Sequence, residues 1–172
     1  MNHSVNFLQV ILPALLAALS FTVHAQTGPT DTLPGDPGAL SVHNIQDLHF
    51  GVFSQGEGGT VTISAAGVRS VSGDVIDYNL GISYFQALFE VAAPAGAIIS
   101  VLNGPDATLT GSNGGSMSLE LGGTSPEAPF LNTTPSPGYT NFGIGGTLTV
   151  GNPAASPPGV YSGTFYITFN LE

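Results

Sequence analysis

The stretch from Gly159 to Glu172, "GVYSGTFYITFNLE", shows the clearest two-residue periodicity in the chain. One parity carries its large apolar side chains: Tyr161, Phe165, Ile167, Phe169 and Leu171. Alternation with a period of two is typical of a β-strand that buries one face. The pattern fits either the last strand of a closed β-fold or an edge that another molecule pairs. We expect this strand to lie inside the fold, since burial stabilises each large side chain by about 1.5–3 kcal/mol.

Similar alternation occurs in "GTVTIS" (59–64), "SMSLEL" (116–121) and "GTLTV" (146–150). The run "ISYFQALFEVAA" (82–93) also favours a strand, because Gly and Pro flank it and alternate residues are apolar. No window has a clear helical period. Roughly nine or ten short strands separated by turn residues predict an all-β fold, an antiparallel two-sheet β-sandwich of the immunoglobulin-like or pilin-like kind.

The strand parities also predict which side chains form the core and where hairpins turn. The predicted core residues are Phe85, Phe89, Val61, Ile63, Met117, Leu119, Leu148 and Val150. Asn103-Gly104 and Asn113-Gly114 supply residues that tolerate the positive φ of tight turns. The segment 39–45, "ALSVHNI", has strand character, and we expect it to be the neighbour or the exchangeable partner of the terminal strand.

Three segments make up the predicted domain organisation. Residues 1–25 resemble a cleavable signal peptide, since an apolar run ends at "VHA" before Gln26. That run is shorter than the roughly 20 residues of a spanning helix. Residues 26–38, "QTGPTDTLPGDPG", have the composition of a flexible tether. Residues 39–172 are predicted to form one domain, and the protein is predicted to be exported to the periplasm, the cell surface or the medium, with no membrane span after cleavage.

Composition excludes several functions. The net charge is −10, with eleven acidic residues against one basic residue, Arg69, so nucleic acid is an unfavourable partner. The chain has no cysteine, which excludes a disulfide framework. No nucleophile elbow, phosphate-binding loop or dinucleotide-binding motif is present. We therefore expect neither catalytic residues nor a cofactor.

One candidate metal site lies within "SVHNIQDLHF" (41–50), where His43, Asp47 and His49 share a parity. On one continuous strand they would stand on a single face, with neighbouring positions about 7 Å apart. Imidazole and carboxylate are common ligands of divalent metals, but three candidate ligands are few for a dedicated site. The favoured interpretation is the solvent face of a strand whose other face, with Leu48 and Phe50, is core.

The order of short motifs along the chain resembles a bacterial family, the domain of unknown function DUF4402. The motifs are "DLHFG" (47–51), "GGTVTIS" (58–64), "GVRSVSGDV" (67–75), "ALFEV" (87–91), "SMSLEL" (116–121), "GGTLTVG" (145–151) and the ending at 159–172. The resemblance implies an exported, cysteine-free β-sandwich similar to fimbrial subunits, and it implies no catalytic residues. The ending is also similar to the terminal strand of chaperone-usher pilus subunits, although the prolines of the tether make it a poor donor strand.

These features together predict an exported structural or adhesive surface protein, a fimbrial or filament-type subunit that assembles by β-strand pairing. The expected partners are other copies of the chain or related subunits. The alternative is a secreted carbohydrate- or surface-binding module without catalytic activity.

Overall fold

A computed structural model describes residues 24–25, 39–78, 81 and 83–172, and every regular element among them is a strand. The described strands are β1 His24–Ala25, β2 Ser41–Gln46, β3 Phe53–Ile63, β4 Arg69–Asp77, β5 Ala87–Ala92, β6 Ile98–Asn103, β7 Ala107–Gly111, β8 Ser116–Ser125, β9 Phe130–Leu131, β10 Thr140–Val150, β11 Tyr161–Ser162 and β12 Tyr166–Leu171. The predicted signal peptide and tether fall almost wholly outside the described residues.

The strands form two sheets, and all their pairings are antiparallel except that of β1 with β12. The small sheet has the order β1-β12-β6-β9. The large sheet has the order β11-β7-β8-β10-β3-β4, and β5 joins it by pairing with β10 on one side and β2 on the other. The predicted antiparallel two-sheet β-fold is thus confirmed.

Strand β10 is the centre of the large sheet because it pairs with three strands, β8, β5 and β3. One edge pairs with β8, while the other pairs with β5 along 140–144 and with β3 along 146–150. The change of partner occurs at Gly145, where a Cβ atom would collide with the carbonyl oxygen of Ile63. A glycine at this point lets two strands approach the same edge of β10.

The core lies between the sheets and is rich in aromatic rings. The Phe169 ring of β12 lies 5.6 Å from that of Phe89 and 5.2 Å from that of Phe142, measured between centroids. The Phe142 ring in turn stacks on Phe130 of β9 at 5.6 Å. Ring separations in this range add specific packing energy to the gain from burial. These contacts place β12 across β5 and β10, and β9 across β10.

Seven of the eight predicted core residues are buried: Phe89, Val61, Ile63, Met117, Leu119, Leu148 and Val150. Phe85 is the wrong prediction, since it is 42% exposed. Its strand begins only at Ala87, and Phe85 instead forms an isolated bridge with His49. The alternation therefore does not run unbroken from Phe85 to Val91.

Two further predictions about pairing need correction. The segment 39–45 is not the neighbour of the terminal strand, because β2 pairs with β5 in the other sheet. Asn103-Gly104 does not close a hairpin, because β6 belongs to the small sheet and β7 to the large one. Asn113-Gly114 does lie in a hairpin, between the paired strands β7 and β8. Both errors have one cause, since periodicity identifies a strand without identifying its partner.

Candidate functional site

The continuous strand that the metal candidates require is interrupted. Strand β2 ends at Gln46, so Asp47 and His49 do not continue the face of His43. The Asp47 carboxylate accepts a hydrogen bond from Asn44 Nδ2 at 2.7 Å, and Nδ1 of His49 accepts one from the amide of Gly51 at 3.1 Å. Within the described ranges, no group of three His, Cys, Asp or Glu residues is arranged to hold a metal ion.

The terminal stretch 159–172 forms two strands, not one. Tyr161 lies on β11 and pairs with Gly111 in the large sheet. The chain then crosses between the sheets, and β12 pairs with β6 in the small sheet. The Tyr161 hydroxyl donates to the carbonyl oxygen of Pro157 at 2.6 Å. Residues 161–171 thus belong to both sheets and hold them together.

Burial along this stretch follows the predicted parity except at its end. Tyr161, Phe165, Ile167 and Phe169 are each 2% exposed or less, whereas Leu171 is 41% exposed. Leu171 stands opposite Ile99 on the last paired position of β12. The prediction of burial is therefore wrong for Leu171, which has β6 on one side and no described strand on the other.

The hydrogen bonds of β12 show which way each backbone group points. The amide of Gly104 donates to the carbonyl oxygen of Tyr166 and the amide of Glu172 donates to that of Ile98, both at 2.9 Å. In an antiparallel pair, residues alternate between those whose N–H and C=O both face the neighbour and those whose groups both face away. The register is unbroken from Ile167 to Leu171, so the groups of Phe169 and Leu171 point away from β6.

Among the described residues, the side of β12 that faces away from β6 is covered only in part. Strand β1 runs parallel to it and pairs His24 with Tyr166 and Ala25 with Ile167. Within the part of the chain that the structure describes, no strand pairs with the outward-facing groups of Phe169 and Leu171. We call the backbone edge of residues 168–171 on this side the open edge.

The other long edges carry features that hinder strand addition. On β4, Gly73 has a φ of 70° and the register with β3 shifts between Gln55 and Gly59. On β2, the register with β5 shifts between Asn44 and Gln46. Such bulges, like charged side chains, blunt a sheet edge against further pairing. The open edge of β12 has neither a bulge nor a charge between residues 168 and 171.

The single basic side chain of the sequence is held inside the fold. The side chain of Arg69 is 1% exposed, and its Nη2 lies 2.8 Å from the carbonyl oxygen of Val52 and 2.9 Å from Asp77 Oδ1. Its guanidinium also lies over the Tyr84 ring, 5.2 Å from the centroid. Burial lowers the pKa of Arg69, while the charges of Asp77 and Tyr84 act in the opposite direction. The surface is therefore almost wholly acidic where it is charged.

Two buried polar side chains, which periodicity does not reveal, fix loops to the sandwich. Ser156 is fully buried, and its hydroxyl donates to the carbonyl oxygen of Ser116 at 2.8 Å. Asn132 is 1% exposed, and its Nδ2 donates to the carbonyl oxygen of Ala93 at 2.6 Å. Asn132 is also the first residue of "NTT", which matches a glycosylation sequon, but its amide nitrogen is enclosed in the folded protein.

Among the residues that the structure describes, no helix has the length and apolar character needed to cross a membrane.

Comparison with known proteins gives one match, to a family of unknown function. No curated protein and no solved structure matches the chain. The model of the family described as "Domain of unknown function (DUF4402)" matches residues 40–170. This range covers all described strands except β1 and the last residue of β12, which confirms the resemblance drawn from the motif order. The chain belongs to the DUF4402 family.

Proposed function

We propose that the protein is an exported, non-enzymatic structural or adhesive subunit of the bacterial surface, which assembles by pairing a β-strand with its terminal strand β12. The observation that carries the proposal is the open edge, where the backbone groups of Phe169 and Leu171 point away from β6. Unpaired strand edges recruit other strands unless a bulge or a charge blunts them. The side chains of Ile167 and Phe169 on the same strand are buried, which anchors this edge to the core.

Export is proposed from residues 1–25, whose apolar run ends in the small residues of a processing site. An intact-mass measurement of the protein recovered from the cell surface or the medium should give a chain that begins at Gln26. Recovery of a chain that retains Met1 contradicts this part of the proposal.

Assembly is tested by removing one outward-facing amide of the open edge. Leu171→Pro removes that N–H and places a ring where an added strand would pair, whereas Leu171→Ala keeps the N–H. In the producing bacterium, we expect the Leu171→Ala protein to sediment in large assemblies and the Leu171→Pro protein to be released as a monomer.

Thermal unfolding of both variants provides the control for folding, since neither change removes a hydrogen bond between β12 and β6. Large assemblies of folded Leu171→Pro protein would contradict assembly through this edge.

A second candidate function, a carbohydrate- or surface-binding module, is favoured by one exposed pair of rings. Tyr139 is 49% exposed, and its ring meets that of His43 edge to face at 6.3 Å. Exposed rings with a polar group suit contact with a ligand that is apolar on one face and polar at its rim. Retention of the monomer on a glycan array, abolished by Tyr139→Ala, would support this function in place of assembly.

A further inference from the structure

The open edge of β12 lies beside an inner surface of the large sheet that is only half covered. Phe169 of β12 contacts Phe89 of β5 and Phe142 of β10, and Asn103 of β6 donates to the carbonyl oxygen of Leu121 on β8. The step from β6 to β12 in the small sheet therefore runs in the same direction as the step from β8 towards β5 in the large sheet. The next strand position beyond β12 faces β2, the neighbour of β5.

The inner face of β2 has the burial expected of a surface that lacks a cover. Val42 pairs with Val91, which is fully buried, so both side chains point between the sheets. Val42 and the preceding Leu40 are nevertheless only partly buried, although both pack against the core. The surface of Leu40 and Val42 together with the open edge of β12 forms what we call the β2–β12 groove.

Strand β1 shows that this groove accepts an extended backbone. Its two described residues occupy the position next to β12, opposite Tyr166 and Ile167. It also lies at the end of the proposed signal peptide, so processing after Ala25 removes it. The groove then extends along β12 from Ile167 to Leu171.

The composition of residues 26–38 is unfavourable for a strand in this groove. That segment contains three prolines and a single large apolar residue, Leu33, so it lacks both the amides and the alternation that the groove requires. Direct pairing of β12 with the β12 of a second copy is also unfavourable. Because β12 faces β5 and β2 lies beside β5, the large sheet extends one strand past β12, and the two copies of β2 would be brought to the same place.

The acidic charge of the protein further defines the partner. The sequence carries a net charge of −10, and its one basic side chain, Arg69, is buried. Glu172 ends the edge, and its carboxylate accepts a hydrogen bond from the hydroxyl of Ser100. Complementary charge increases both the rate and the specificity of association.

We propose that the β2–β12 groove binds a strand of another polypeptide, with alternating apolar side chains and basic residues at its ends. This inference rests on the proposed function, because it names the partner of the same open edge. The apolar side chains of the added strand cover Leu40 and Val42, and its backbone pairs with Phe169 and Leu171.

The test uses protein recovered after export and two synthetic peptides, Lys-Thr-Val-Thr-Val-Thr-Val-Lys and the same sequence with glutamate at both ends. We expect the lysine peptide to slow amide exchange at Phe169 and Leu171, and the glutamate peptide to bind at least tenfold more weakly at low salt. Val42→Thr should weaken binding by about fivefold, through the loss of one apolar contact. The matched control Ile76→Thr, on the exposed face of β4, should leave binding unchanged.

Unchanged exchange at Phe169 and Leu171, equal binding of the two peptides, or equal effects of the two substitutions overturns the inference. These outcomes are separable from the proposed function. The protein could form surface assemblies that depend on the Leu171 amide and yet bind neither peptide. That result would support the proposed function and contradict the β2–β12 groove. If the protein binds the lysine peptide but stays monomeric at the cell surface, the β2–β12 groove is supported and assembly through it is contradicted.

Discussion

Asn132 joins three segments through one buried side chain. Its Nδ2 donates to Ala93, while its Oδ1 accepts from the amide of Thr134 at 3.3 Å and from the hydroxyl of Thr140 at 2.9 Å. Asn132→Ala removes these hydrogen bonds, although the Thr140 hydroxyl keeps its bond to the Thr134 hydroxyl, and should lower the free energy of unfolding by about 2–3 kcal/mol. Urea denaturation measures the loss, and exposed Asn141→Ala should change it by no more than about 0.5 kcal/mol. Equal stability of the two variants would show that the Asn132 contacts carry no net free energy.

Tyr161 gives the stability of the protein a dependence on alkaline pH. Burial raises the pKa of its hydroxyl above the ordinary value of 10.0. The pKa of Tyr161 is higher in the folded protein than in the unfolded chain. Its contribution to the free energy of unfolding is therefore complete below pH 10 and is lost as the pH rises through the folded pKa. Thermal melts between pH 8 and pH 12 should therefore show a steeper decline for the wild type than for Tyr161→Phe. Parallel declines in the two proteins would contradict the assignment.

Successive backbone amides of β12 point to opposite sides of the strand, so their rates of hydrogen exchange should alternate. The amides of Thr168 and Asn170 face β6, while those of Phe169 and Leu171 face the open edge. Residue-resolved hydrogen exchange on the isolated protein should show slow exchange at Thr168 and Asn170 and fast exchange at Phe169 and Leu171. Leu102 stands opposite Thr168, so its amide faces β12 and serves as an internal reference for slow exchange. Uniformly slow exchange along β12 in the monomer would mean that the edge is already covered.

The strands themselves were predictable from sequence, but their partners were not. Val61, Ile63 and Leu148 were assigned to the core correctly, because a two-residue period reports directly on which face is buried. The period carries no information on which strand lies alongside, so the pairing of β2 with β5 could not be predicted. The crossing between β11 and β12 could not be predicted for a related reason. Tyr161 and Ile167 have the same parity in the sequence, although their strands lie in different sheets.

The candidate site was predictable only in outline. The apolar parity identified the terminal strand as important, yet the direction of its free hydrogen-bonding groups depends on register with β6. The half-covered face of Val42 depends on how far one sheet extends past the other. Neither property is encoded within a single segment of sequence, so both required the folded chain.

At the scale of the whole molecule, charge opposes compaction. Eleven acidic residues face one basic residue, and that arginine is already paired with Asp77. Mutual repulsion of like charges destabilises the folded state, and salt screens it over about 10 Å at 0.1 M. The unfolding temperature should therefore rise between 10 mM and 200 mM sodium chloride, as measured by circular dichroism. A fall over this range would mean that attractive ion pairs outweigh the repulsion.

The passage of residues 161–171 from the large sheet to the small sheet has a consequence for the order of folding. Strands β3 and β10 pair across a long stretch of chain, with Val61 opposite Leu148, and until β12 has docked the small sheet keeps only the pair of β6 with β9. Contacts between distant segments form slowly because the loop between them must first be closed. A nascent chain that ends before Tyr161 therefore lacks the buried side chains of Phe165, Ile167 and Phe169, and the core between the layers is completed late.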